Sequence, residues 1–536
     1  MGTNMMSNFL RAASVAALMA ASCLISPASG NAETVTRGGT LHYGRYADSQ
    51  FLDPVLTGHN VDIWILSNLY DTLLLPSEDG KGVEPGLATA WTVSPDGKTV
   101  TLTLREGAQF SDGSSVTAED VKWSLDRARD PKAGIWNFID AAIGSIDIKD
   151  PRTVVLNLKY PDPAVIPGLS VFNNSIMPMK LLMASEGTTL DDKAKSFAEH
   201  PIGSGPFVFQ SWSRGQEMKL VRNQRYWRQG ADGKPLPYLD GIEFEVLPDD
   251  ATRVLKVQSG ELDGAEFIPF SRVQELKSDA RLNMALFPAT KLKFGVFNVR
   301  PKLSDGSANP LANEKVREAL NLATDKDAIV AIVTHGVGTP MSSYMSSATP
   351  LHVGSGPVFP FDPDKAKALL AEAGNTNGIT LTCMILAGNV DEIGIATSLQ
   401  QMWHDVGVEL KIEQVDNATI NARQKAGDFA IMLTNWSDDI ADPSEITSYA
   451  GYYPTIGAMR SGWNNDEFNK LFEASQRQLN AAKRASQYAR MQEIFRNGPF
   501  LPLYESPFPV VLKTNVKGFV QIPLGNNLFS GVHLEK

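Results

Sequence analysis

The chain has 536 residues, too many for one ordinary hydrophobic core, so two or more lobes are expected. A net charge of −11 excludes nucleic acid as a natural partner, because phosphate recognition needs a basic surface. With 43% hydrophobic and 20% charged residues, and no stretch beyond the N-terminus reaching the ~18 unbroken apolar residues of a membrane span, the composition is that of a soluble globular protein.

The first 32 residues are expected to be an export signal. Arg11 precedes the apolar run AASVAALMAASCLI, and the small residues Ala28, Gly30 and Ala32 follow it, which places cleavage after Ala32 or Gly30. Cys23 follows Ala20-Ala21-Ser22, without the Leu that a lipoprotein site carries three residues before its Cys, so lipid anchoring is not expected. The mature chain keeps one cysteine, Cys383, in the strand-like ITLTCMIL, where a buried structural thiol is expected and no internal disulfide can form.

GGTLHYGRYA (38–47) reads as a first strand, and VDIWILSNLYDTLLL (61–75) as a helix packing on a sheet. In that helix Asn68, Tyr70 and Asp71 either face a ligand or end the helix. Thr92-Val93-Ser94, Pro95-Asp96-Gly97 and the alternating TVTLTL (99–104) form a hairpin, and Thr117 is the N-cap of a helix over 118–128. Gly97-Lys98-Thr99 is not a phosphate loop, because Thr92 stands where that loop needs its first Gly. A second hairpin pairs 146–148 with 153–158. Strands and helices then alternate from 201 to 264, which indicates an α/β lobe.

KLKFGVFNV (291–299) alternates and is read as a crossing between lobes. Helix 316–323, helix 366–374, strand 380–386, helix 395–406 and strand 408–412 make a second α/β unit. FAIMLTNWSDDIADP (429–443) follows as its next strand. Two helices, 466–480 and one ending near Phe495, complete the lobe, and 501–511 is a return crossing.

The stretch 429–443 carries the main candidate site. An apolar strand runs into Trp436 and then Asp438, Asp439 and Asp442, all before Pro443. Two readings stand: a solvated strand-end turn, since Asp and Pro favour turns, or a corner that reads a cation with carboxylates and a ring face.

The chain resembles the extracytoplasmic substrate-binding proteins of family 5, the peptide/opine/nickel class that feeds ABC importers. The resemblance rests on GLATAWTVSPDGKTVTLTLREGAQFSDGSSVTAEDV (86–121), PIGSGPF with RNQRYW (201–227), YLDGIEFEVLPDDATRVLKVQSGELD (238–263), VREALNLATDKDAIV (316–330), DPDKAKALLAEAG (362–374) and NWSDDIADP. It covers essentially the whole mature chain. It implies an α/β, two-lobed periplasmic-binding-protein fold (type II, of the large cluster): lobe I over 33–288 with a hairpin-rich subdomain at about 76–190, lobe II over 289–503, and a return of 504–536 to lobe I.

Peptide-binding members use a Trp-x-x-Asp motif whose carboxylate binds the ligand's α-ammonium, and Trp436 and Asp439 match that spacing. The resemblance therefore implies ligand contacts at Asp439 and Trp436, with their neighbours Asn435 and Ser437; Tyr70 and Asn68, from the 61–75 segment, are the further candidate contacts. Dipeptide binders also carry an Arg for the ligand's carboxylate in the loop before the helix corresponding to 395–406; here Leu386-Ala387-Gly388-Asn389-Val390 has no basic residue. The ligand is then a longer peptide held by backbone contacts, or has its acid group read elsewhere, or is not a peptide.

The implied function is capture of a peptide or peptide-like solute in the periplasm, by a monomer, for an ABC permease and its ATPase. An opine, another small amine-bearing solute or a metal chelate is the alternative. No G-x-S-x-G, no H-E-x-x-H and no metal-spaced pair among the seven histidines is present, so neither a hydrolase nor a bound metal or cofactor is expected.

Overall fold

The computed structural model describes residues 35–134, 136–456 and 459–536. The expected signal peptide and Cys23 lie outside the described residues.

Three sheets organise the chain. The first has seven strands in the order Leu282–Phe287, Phe508–Lys513, Gly264–Ala265, Thr40–Arg45, Gly241–Val246, Glu217–Arg222 and Phe207–Ser213. Its core gathers Leu41, Tyr43, Phe244, Val510 and Phe529. The second has six strands: Thr339–Pro340, Phe500–Glu505, Leu292–Phe297, Ile431–Trp436, Ile379–Leu386 and Val408–Val415. All six residues of Leu292–Phe297 are buried, because helices cover both faces of this central strand. The third is a four-stranded antiparallel sheet in which two hairpins, Ala88–Val93 with Thr99–Leu104 and Ile143–Asp150 with Thr153–Leu158, join along 99–104 and 153–158.

Two short segments connect the first sheet to the second. Residues 288–291 lead from Leu282–Phe287 into Leu292–Phe297, and 506–507 lead from Phe500–Glu505 into Phe508–Lys513. The Ser506 N–H donates to the Lys291 carbonyl at 3.1 Å, so the two connections are bonded side by side. Few bonds need to change for the sheets to rock about such a seam.

Local sequence accounts for most boundaries. Thr117 caps the helix Ala118–Ala128 with a reciprocal capping box to Asp120, as its position predicts. The helix expected over 61–75 is instead Asn60–Leu69, followed by a short strand Leu74–Pro76. The chain opens there because the carbonyls of Thr72 and Leu73 accept from the N–H groups of Gly86, Leu87 and Ala88. That approach needs Gly86, since a Cβ there would sit 2.7 Å from the Thr72 oxygen. The helix expected over 395–406 begins five residues earlier, at Val390, because the Asn389 side chain accepts from the Glu392 N–H. The helices Asn417–Ala426 and Ser444–Ala450 were not foreseen.

Cys383 is buried and unpaired, and burial pushes its thiol up to about 12. A thiol reagent is therefore expected to leave Cys383 unmodified in the native protein and to label it fully in denaturant, read by peptide mass mapping.

Candidate functional site

The strand Ile431–Trp436 runs antiparallel to Leu292–Phe297, with Trp436 opposite Leu292. Beyond Trp436 the chain leaves the sheet, and its acidic residues take separate tasks. Asp438 is buried and structural: its carboxylate accepts from Trp436 Nε1 at 2.7 Å and Thr349 Oγ1 at 2.6 Å, while its N–H donates to Thr290 Oγ1 at 2.9 Å. Asp442 forms a two-pronged ion pair with Arg484, at 2.7 and 2.8 Å, and accepts from the Ser444 N–H at 2.9 Å. Glu445 folds back so that its Oε2 accepts from the N–H groups of Asp439 and Ile440, at 2.9 and 3.1 Å.

Asp439 differs from these. Among the described residues, its carboxylate has neither a hydrogen bond nor an ion pair. Burial, and then the charge of Asp438, push it up to about 7. Burial pushes Asp438 up to about 7 as well, against the bonds from Thr349 and Trp436. Burial and the two aspartates push Glu445 well above the carboxylate range. The Trp436 ring packs against Tyr449 with centroids 4.5 Å apart, forming an aromatic wall beside these acids. The next residue, Ile440, is buried in the apolar cluster of the first sheet. The turn that carries Asp439 therefore reaches from one lobe into the other. Asp439 itself is half-buried, and a lone carboxylate beside two rings at this junction suits an organic ammonium.

A cavity of about 480 Å³ also lies between the lobes. Phe267, Ile268 and Pro509 line it from the first, Ile332 and Val390 from the second, and Lys291 enters from the connection between them. The loop before Val390 is pinned beside it: the Leu386 N–H donates to Glu392 Oε2 and Lys293 Nζ to Glu392 Oε1, both at 2.7 Å.

Residues 82–456 match the family described as "Bacterial extracellular solute-binding proteins, family 5 Middle". The chain belongs to this family. Heme-binding protein A of Haemophilus influenzae is 28% identical over 500 residues, covering 87% of each chain. The probable D,D-dipeptide-binding periplasmic protein DdpA of Escherichia coli is 28% identical over 494 residues, covering 91% of this chain and 92% of its own. Among solved structures, HbpA2 from Haemophilus parasuis superposes with a TM-score of 0.81 at 28% identity, covering 93% of this chain and all of that one. The α/β two-lobed periplasmic-binding-protein fold implied by the resemblance is the fold observed.

In this family-5 solute-binding protein, four of the six predicted contacts fall together: exposed Asn435, half-buried Trp436 and Ser437, and Asp439 follow one another out of the second sheet. The other two do not join them. Asn68 is buried with its amide donating to the carbonyls of Trp64 and Asn527, at 2.9 and 3.0 Å. Tyr70 is buried in the first core. Both border a separate cavity of about 70 Å³ shared with Asp71, Tyr226 and Arg228, all from the first lobe's segments. Sequence reasoning missed Glu445 and Tyr449, which the turn geometry brings to Asp439, and Thr349, which it brings to Asp438. It also missed Lys291, although its two-residue spacing from Lys293 places both on one face of a strand otherwise apolar.

Proposed function

We propose that the protein is the capture component of an ABC importer. It closes lobe I (33–288, completed by 504–536, with the hairpin subdomain at about 76–190) and lobe II (289–503) on a peptide or peptide-like solute. It acts as an exported, periplasmic monomer that passes the solute to a permease driven by an ATPase, and it binds without chemical turnover. Family membership supports solute capture, and relatives named for D,D-dipeptide and glutathione binding support a peptide.

The observation that carries the reading is Asp439: an unpaired carboxylate at the lobe junction, beside the Trp436–Tyr449 wall. An ionised, half-buried carboxylate without a partner is stabilised by a cation, and the amino end of a peptide supplies one. Trp436 walls the adjoining side group, with Asn435 and Ser437 offering polar contacts at the strand end. Thermal unfolding with a tripeptide panel tests this. A bound tripeptide at a hundredfold over its Kd is expected to add about 2.7 kcal/mol of stability and to be recovered intact. Cleavage of the peptide, or no stabilisation by any peptide or co-purified solute, would remove the reading.

A further inference from the structure

We propose that Lys291 receives the carboxylate of the captured solute, so that the natural ligand carries an amine at one end, an acid at the other, and an apolar or aromatic group against Phe267. This rests on the capture function proposed above and names the chemistry of its ligand.

Lys291 lies in the seam that joins the lobes, held by its carbonyl to the Ser506 N–H, with its side chain half-buried in the inter-lobe cavity. No hydrogen bond or ion pair to its Nζ occurs among the described residues. The exposed His335 also lines the cavity, and the other charged groups around it are committed or peripheral. Lys293 is paired with Glu392 at 2.7 Å, and Asp250 with Arg253 at 2.5 Å. Asp391 sits exposed on the rim, beyond ion-pair distance of Lys291. Burial pulls the Lys291 ammonium below the usual lysine range; Asp391 opposes that pull and Lys293 adds to it. A half-buried ammonium without an ion-pair partner gains from pairing with an anion, and an organic carboxylate supplies one with charge-assisted hydrogen bonds.

Val390, where the 386–390 segment without a basic residue enters its helix, lines the same cavity. The missing cation is therefore supplied by the crossing strand rather than by the loop. The wall opposite is apolar and rigid. Phe267 adopts a left-handed backbone, φ 52°, and is fixed there by Arg253, whose guanidinium donates to the carbonyls of Leu247, Glu266 and Phe267 at 2.6, 3.0 and 2.7 Å. Its ring stacks on Trp64 at 5.3 Å and faces Tyr46 at 4.3 Å, and Lys291 Nζ lies 5.9 Å from its centroid. Across the gap, Val390 and Ile332 remain 80% and 59% exposed, apolar surface that a ligand side group would cover. A volume of about 480 Å³ suits the acid end and one side group of a small solute.

The test uses a pool of tripeptides, each supplied as the free acid and as the C-terminal amide. The pool is incubated with dialysed protein, and retained peptides are counted by mass spectrometry after rapid gel filtration. Wild type is expected to retain acids over amides by about tenfold or more. Lys291→Gln, checked for an unchanged circular dichroism spectrum, is expected to hold both forms equally, and Lys291→Arg to restore the preference. Equal retention of acids and amides by wild type overturns the assignment of Lys291 while leaving capture standing. So does an acid preference that survives Lys291→Gln. Retention of neither form removes the peptide reading, and this inference with it.

Discussion

Asp439→Asn is expected to weaken binding of an amine-bearing solute by about 100-fold or more while leaving the fold intact. With solute and closed lobes covering the half-buried Asp439, removing one partner of the ion pair leaves the other charge uncompensated, at a cost of about 3–5 kcal/mol. The substitution keeps shape and volume, and the Asp439 N–H that bonds Glu445 belongs to the backbone. Titration calorimetry checks the result, and unchanged affinity would take Asp439 out of the site.

The effect should depend on pH. Burial and Asp438 hold Asp439 at about 7, so in the empty protein it takes up a proton as pH falls through neutrality. An ammonium pairs with the ionised form, so affinity is expected to fall on acidification, by up to about tenfold per pH unit, and this slope should flatten in Asp439→Asn. The stability of the empty protein runs the other way. A carboxyl raised above its unfolded value contributes stability that is present below about pH 4 and lost as pH rises through the folded value. Thermal unfolding without ligand should show wild type losing ground to Asp439→Asn between pH 5 and pH 8.

Arg484→Leu carries the second large effect, on stability. The guanidinium is bound at 2.7 and 2.8 Å by Asp442, with side-chain exposures of 10% and 5%. Its Nε also donates to the Ser475 carbonyl at 3.2 Å, and it lies 5.1 Å over the Tyr488 ring. Without it the Asp442 carboxylate is buried and unpaired, which costs about 3–5 kcal/mol. Urea unfolding should show the midpoint fall. Adding Asp442→Leu should recover much of the loss, because the pair is then replaced by apolar groups of similar size. Recovery of stability without recovery of binding would separate the two tasks of this ion pair: holding the turn, and holding it where Asp439 faces the ligand.

The sequence was legible where one local signal dominated. Thr117 with Asp120 defined a helix start to the residue, and the alternation of TVTLTL defined a strand. It was misleading where distant backbone decided the outcome. VDIWILSNLYDTLLL has helical spacing throughout, but the carbonyls of Thr72 and Leu73 are drawn off by Gly86–Ala88, a contact that no window around residue 72 contains. At the candidate site, the spacing of Trp436 and Asp439 pointed to the turn that carries the unpaired carboxylate. It could not sort the acids by role, because Thr349, Thr290 and Arg484, which engage Asp438 and Asp442, lie far away in sequence. Asn68 and Tyr70 were chosen as polar groups at a helix end, and their partners turned out to be Trp64, Asn527 and the first core.

The strand Phe508–Lys513 lies inside the seven-stranded sheet, between Leu282–Phe287 and Gly264–Ala265, far later in the chain than either neighbour. Both neighbours take ladder hydrogen bonds from it, so neither edge is satisfied without this segment. Contacts this remote form slowly, since a long loop must close first. The seven-stranded sheet is therefore completed only when this segment inserts between two much earlier strands, a step expected to limit the folding rate.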